Sequence, residues 1–117
     1  MNIEQVREHC LSKKGVTEDF PFDEVTLVFK VMGKIFALTS LEGDLSVNLK
    51  CDPARAVELR EKFSAVQPGY HMNKKHWNTV FADGSMSWDF IKELIDNSYE
   101  LVVSGLTVKL RDQLNQL

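Results

Sequence analysis

The run "TLVFKVMGKIFALTS", residues 26–40, limits the fold more than any other stretch. Two segments rich in β-branched and aromatic residues flank Met32-Gly33, and such a pair around a two-residue turn is a β-hairpin signal. Strands joined so closely are antiparallel, because a parallel pair needs a crossover of a dozen or more residues. A two-residue turn pairs Val31 with Lys34, Phe29 with Phe36 and Leu27 with Leu38. Cross-strand partners share a face, so Leu27, Phe29, Phe36 and Leu38 are expected on the core side. The opposite side then carries Thr26, Val28, Lys30, Ile35, Ala37 and Thr39, and is only half polar.

The flanking segments extend this core. Leu45, Val47 and Leu49 alternate with Ser46, Asn48 and Lys50, which predicts a half-buried third strand. Asp52 then offers an N-cap and Pro53 a first helical residue, with Ala56, Leu59, Phe63 and Val66 as the stripe of that helix. Upstream, Ile3, Val6 and Cys10 recur at helical spacing, so a helix runs from Asn2 to about Lys13 and Gly15 ends it. "TEDFPFDE" reads as an acidic link, extended at Phe20 because of Pro21. Downstream, "QPG" breaks the chain. "WNTVFA" reads as a strand with Asn78 and Val80 on one side and Trp77, Thr79 and Phe81 on the other. Asp83-Gly84 is a turn. Ser87 caps a helix through Asn97, with Trp88, Ile91, Leu94 and Ile95 inward. A second helix from Ser98 carries Tyr99, Val102 and Val103, and the tail adds one short helical turn. The order is helix, three strands, helix, one or two strands, then helices. It predicts a two-layer α+β domain over residues 1–117, an antiparallel sheet with helices packed on one face.

The chemistry-bearing residues exclude more than they assign. His71 and His76 are five apart and converge on a metal in neither a strand nor a helix. No phosphate loop, nucleophile elbow or paired-histidine motif is present, so neither enzymatic activity nor a cofactor is expected. Glu4 and Glu8, near Glu18, Asp19, Asp23 and Glu24, read as a solvated helix face rather than a cation site. Cys10 and Cys51 do not make a disulfide framework and read as small buried hydrophobes. No apolar run approaches membrane-spanning length and the start has no signal layout, so a cytoplasmic protein without membrane contact is expected.

Charge is the one uneven property. The chain is net -3, yet the sign depends on the segment. Residues 1–25 hold three basic and six acidic side chains, residues 26–80 eight and five, and residues 81–117 three and six. A local positive face on an acidic body is therefore possible. Lys34, Lys50, Lys74 and Lys75 fall at turns and strand ends, with His71, Asn73, His76 and Trp77 beside the last two. Such a cluster suits phosphate contacts, with Trp77 or Tyr70 able to stack on an unpaired base. It equally suits blunting of exposed strand edges by lysine, with both aromatics plugging the core.

The segments "FPF" (20–22), "FKVMGKIFAL" (29–38), "VNLKCDP" (47–53), "PGYHMNKKHWNTV" (68–80) and, more loosely, "SYELV" with Leu110 and Arg111, occur in an order that resembles the MmcQ/YjbR family. The stretch from His71 to Trp77 is the specific part of the match. The resemblance implies an α+β fold similar to frataxin and to type III secretion chaperones. It also implies DNA binding through a double-wing arrangement. The expectation is thus a small non-enzymatic domain that binds DNA weakly and without sequence preference through Lys34, Lys50, His71, Asn73, Lys74, Lys75, His76 and Trp77. The alternative is a protein-interaction adaptor that docks a partner on the half-apolar sheet face with Val28, Ile35 and Ala37.

Overall fold

The computed structural model describes residues 1–69 and 72–117. Among them the elements are α1 (Ile3–Leu11), β1 (Val16–Asp19), β2 (Thr26–Val31), β3 (Lys34–Ser40), β4 (Ser46–Lys50), α2 (Pro53–Lys62), β5 (Val66–Pro68), β6 (Trp77–Phe81), α3 (Trp88–Ser104) and α4 (Val108–Asn115). The strands form one open sheet in the order β1-β2-β3-β4-β6-β5, and every neighbouring pair is antiparallel. The expected α+β layout is present; β1 was not expected, and β5, within the one or two strands expected after α2, lies where a helix stripe and a chain break were read.

Both β1 and β5 are edges. Val16–Asp19 pairs with Val28–Val31, although "TED" reads as a connection. Its acids are edge positions with partners: Glu18 accepts both Nε and Nη2 of Arg7, and Asp19 lies 3.5 Å from Lys30 Nζ. Charged edge residues keep a sheet from pairing further and also erase the alternation that reveals a strand. β5 has three residues and ends at Pro68, whose missing N–H is tolerated on the outermost strand.

The central hairpin holds its expected turn and loses its expected register. Met32 (φ 50°) and Gly33 (φ 83°) are both left-handed, as a tight hairpin turn of this kind requires. Met32 tolerates the conformation because its side chain packs against the core and its N–H reaches Gly15 O at 3.4 Å. Val31 pairs with Lys34 and Lys30 with Ile35, but Phe29 then pairs with Ala37, leaving Phe36 as an extra residue. The bulge flips everything beyond it. Phe36 and Ala37 both belong to the core cluster, whereas Leu38 is buried outside it. The assignment of Leu38 to the core face, and of Ala37 and Thr39 to the other, is therefore corrected.

Ser98 fills the gap beside the distortion. The β3–β4 register, with Ala37 opposite Leu49, would next set Phe36 opposite Lys50. Instead the Ser98 hydroxyl donates to Phe36 O at 2.6 Å and accepts Lys50 N–H at 2.8 Å. A side chain from the helix layer thus satisfies two groups the ladder leaves open. For the same reason Ser98 does not start a new helix: α3 is continuous from Trp88 to Ser104, capped by Ser87 as expected. The tail is a two-turn helix capped by Thr107, longer than the expected single turn.

The helices share one face of the sheet. Val6 and Cys10 of α1, Ala56 and Leu59 of α2, and Ile91, Leu94, Ile95 and Val102 of α3 form one cluster with Leu27, Phe29, Val47, Leu49 and Val80. Phe63 and Val66, expected in the α2 stripe, instead end that helix and begin β5. α1 starts with a reciprocal cap between Asn2 and Gln5. It is tied to α3 by Asp96, whose Oδ1 takes His9 Nε2 at 2.7 Å and Lys13 Nζ at 2.5 Å. The opposite face of the sheet carries no helix among the described residues.

Candidate functional site

Strand direction decides where the lysines lie. β3 and β6 both run antiparallel to β4, the strand between them. The start of β3, the end of β4 and the start of β6 therefore meet at one end of the sheet. Lys34 opens β3, Lys50 closes β4, and Lys74 and Lys75 lead into β6. Adjacent strands are about 4.8 Å apart, so the outer two of these three are about 10 Å apart. Within the described residues none of the four ammonium groups pairs with a carboxylate.

The segment entering β6 is folded on itself. Asn73 accepts Lys75 N–H through Oδ1 at 2.9 Å, and its backbone carbonyl accepts Trp77 N–H at 3.0 Å, so it shapes a turn. Lys74 Nζ reaches Gly69 O at 3.2 Å. His76 is half-buried, and its carbonyl accepts Cys51 N–H at 2.7 Å. Gly69 is needed where it stands: a Cβ there would lie 2.8 Å from both Cβ and the carbonyl oxygen of Trp77. Trp77 pairs with Lys50 and, by alternation from buried Asn78 and Val80, sits on the helix-free face. It is half-buried there rather than a core plug. Tyr70 and His71 lie outside the described residues.

The other end of the sheet has the opposite sign. Asp23 and Glu24 precede β2, Glu42 and Asp44 lie in the turn from β3 to β4, and Asp83 follows β6. Asp23 accepts Val25 N–H at 2.9 Å and Thr26 N–H at 2.6 Å, which holds its carboxyl below the usual range. The hydroxyl and N–H of Ser85 do the same for Asp83. Between the two ends, the helix-free face holds a groove of about 690 Å³. Leu38, Asn48 and Thr79 form its floor, Phe22, Met72 and Phe81 its sides, and Asp23, Glu42 and Asp44 its acidic margin. The docking face expected at Val28, Ile35 and Ala37 does not form, because Val28 and Ala37 are both 0 % exposed.

Both cysteines are buried. Burial pushes the Cys10 thiol up to about 12 and raises that of Cys51 as well, so both stay protonated at neutral pH. Among the described residues no three His, Cys, Asp or Glu side chains gather as metal ligands, and no helix is long and apolar enough to cross a membrane.

Residues 11–101 match the family model YjbR. The chain belongs to the YjbR family. It is 36% identical to the uncharacterized protein YjbR of Escherichia coli K12 over the whole of both chains. It is 43% identical to the uncharacterized protein YbdF of Escherichia coli O157:H7 across 80% of this chain and 76% of that one. The crystal structure of Deinococcus radiodurans protein DR2400, with a DUF419 domain, superimposes with a TM-score of 0.90 at 41% identity, covering 97% of this chain and 88% of that one.

In this YjbR-family chain the sequence reading found the lysines and missed what positions them. Ser98 holds the β4 end that carries Lys50, yet a serine inside a helical stripe signals only a cap or a break. The groove went unseen because it depends on the flipped Leu38 and on Phe22 and Met72, which come from outside the strands. The alternation at Asn48 and Thr79 was visible, but the Thr79 hydroxyl donating to Asn48 Oδ1 was not.

Proposed function

We propose that this YjbR-family chain is a cytoplasmic, non-enzymatic binding domain whose basic sheet end holds the phosphate backbone of DNA. One observation carries the reading: Lys34, Lys50, Lys74 and Lys75 come from three adjacent strand ends, and no described carboxylate neutralises them. Ammonium groups on flexible stems are point charges that suit phosphate oxygens and read no bases. Trp77, beside Lys50 and partly exposed, supplies an aromatic edge next to them. Affinity then comes from counterion release, is weak, and falls steeply with salt.

Fluorescence anisotropy with a labelled duplex at two salt concentrations tests this. The double variant Lys74→Glu/Lys75→Glu is expected to bind at least about tenfold more weakly at low salt, with the slope of log affinity against log salt reduced by about two. Circular dichroism should be little changed, since both residues are exposed and the one bond lost is that of Lys74 Nζ to Gly69 O, and the single variant Lys75→Glu, which leaves that bond in place, should weaken binding in the same direction. Absence of binding by the unaltered chain at low salt, or a salt-independent affinity, refutes the proposal.

A further inference from the structure

The groove on the helix-free face is chemically unlike the basic end and cannot serve the same ligand. Its margin carries Asp23, Glu42 and Asp44, and none of its described lining residues is Lys, Arg or His. None of the three carboxylates is in an ion pair with a described residue. Asp23 is held in its charged form by the backbone N–H groups of Val25 and Thr26. A phosphate brought here would meet three like charges in a partly desolvated cleft. We propose instead that this groove binds a small organic cation with an apolar body, an arylalkyl amine in chemical class.

Three features of the molecule match that class. The volume, about 690 Å³, lies within the range of small-molecule sites, roughly 300–1,000 Å³. Leu38 supplies an apolar side chain to a floor it shares with Asn48 and Thr79, and it is only 5 % exposed although no described helix covers this face. Phe22, on the groove wall, is 65 % exposed, so a seated hydrocarbon body would remove from water a large aromatic surface that the fold leaves wet. The ammonium then sits at the margin beside Glu42 and Asp44, where it gains opposite charges without full loss of water. Asn48, whose Oδ1 is taken by Thr79, adds a polar anchor at the floor.

NMR titration of the isotope-labelled full chain separates this idea from its rivals. The probes are phenylbutylamine, phenylbutanol and phenylbutyrate, which share a body and differ in charge, each up to about 10 mM, as weak fragment binding requires. Phenylbutylamine is expected to shift the amides of Leu38, Asn48 and Phe81, phenylbutanol to do so several-fold more weakly, and phenylbutyrate not at all. The variant Glu42→Gln/Asp44→Asn, altered only at exposed turn residues, should lose about fivefold or more in amine affinity. Phe22→Ala should weaken amine and alcohol alike. Equal shifts from amine and carboxylate would overturn the charge assignment, and no shifts from any probe would overturn the site. A lysine-rich peptide shifting these amides where the amine does not would make the groove a protein-docking surface and likewise overturn the proposal. None of these outcomes depends on whether DNA binds at the opposite end.

Discussion

The two ends of the sheet are built from the same kind of material, turns and strand termini, and carry opposite charge. At one end Lys34, Lys50, Lys74 and Lys75 meet; at the other, Asp23, Glu24, Glu42, Asp44 and Asp83. The basic end is fastened to the helix layer, through Ser98 to Phe36 and Lys50, and its loop is pinned by Gly69 against Trp77. The acidic end is held by local turns, in which Asp23 and Asp83 bind N–H groups a few residues ahead. A net charge of -3 therefore describes neither end. What a partner meets is a dipolar sheet, and the sign of the ligand follows from which end it approaches.

The difference in fastening gives the largest expected effect. Ser98→Ala removes a fully buried hydroxyl and leaves Phe36 C=O and Lys50 N–H without their partner. The cost should be about 1–3 kcal/mol. Thermal unfolding followed by circular dichroism would show a Tm lowered by about 5 °C or more. DNA affinity should fall with it well below the melting range, because Lys50 loses its fixed place. An unchanged Tm would mean that the strands close their own ladder and that Ser98 does not set the bulge.

Moving charge between the ends should do less. Glu42→Lys/Asp44→Lys adds two charges per site and takes the chain from -3 to +1. Lys74→Glu/Lys75→Glu changes the total by the same amount in the other direction. If the basic end is the binding surface, the first pair should raise DNA affinity by no more than about threefold, since it acts mainly through a screened long-range field. The second should cost at least about tenfold. Equal and opposite shifts in anisotropy titrations would show that net charge alone governs binding and that the location of the lysines is immaterial.

The basic end was legible in the sequence because antiparallel neighbours leave few choices. Once residues 26–50 read as strands linked by tight turns, Lys34 and Lys50 had to fall at the same end; that β6 pairs with β4 and brings Lys74 and Lys75 beside them is visible only in the structure. Caps at Asp52 and Ser87, and the faces of β6, were equally readable because local rules govern them. The bulge was not, because the group that bonds to its extra residue, Ser98, lies some 60 residues away in the chain. Nor was β1, whose acids disguise a strand that exists only through pairing with β2. The groove inherits both failures: it needs Leu38 on the side that simple alternation denies it, and a wall from Phe22 in a segment with no periodicity at all.

The smallest effect concerns whether the acidic end is held together or strained by its charge. Asp23→Asn keeps Oδ1 as the acceptor for Val25 and Thr26 N–H, removes the charge, and turns the oxygen that accepts the Thr26 hydroxyl into an NH2 group. Hydrogen bonds from those two groups lower the Asp23 pKa in the folded chain. A carboxyl lowered by folding adds stability that is fully present above its unfolded value, about 3.9, and is lost as pH falls through the folded value. The unaltered chain should thus melt slightly higher than the variant at pH 7, with the gap closing below about pH 4. Glu24, Glu42 and Asp44 push the other way, since removing one of several like charges relieves repulsion. Asp23 makes its bonds at contact distance while the repulsion crosses water, so the bonds should prevail. A variant that melts higher than the parent at neutral pH would reverse that order. It would also mark the acidic end as poised for a cation, because a cation would then relieve the same repulsion.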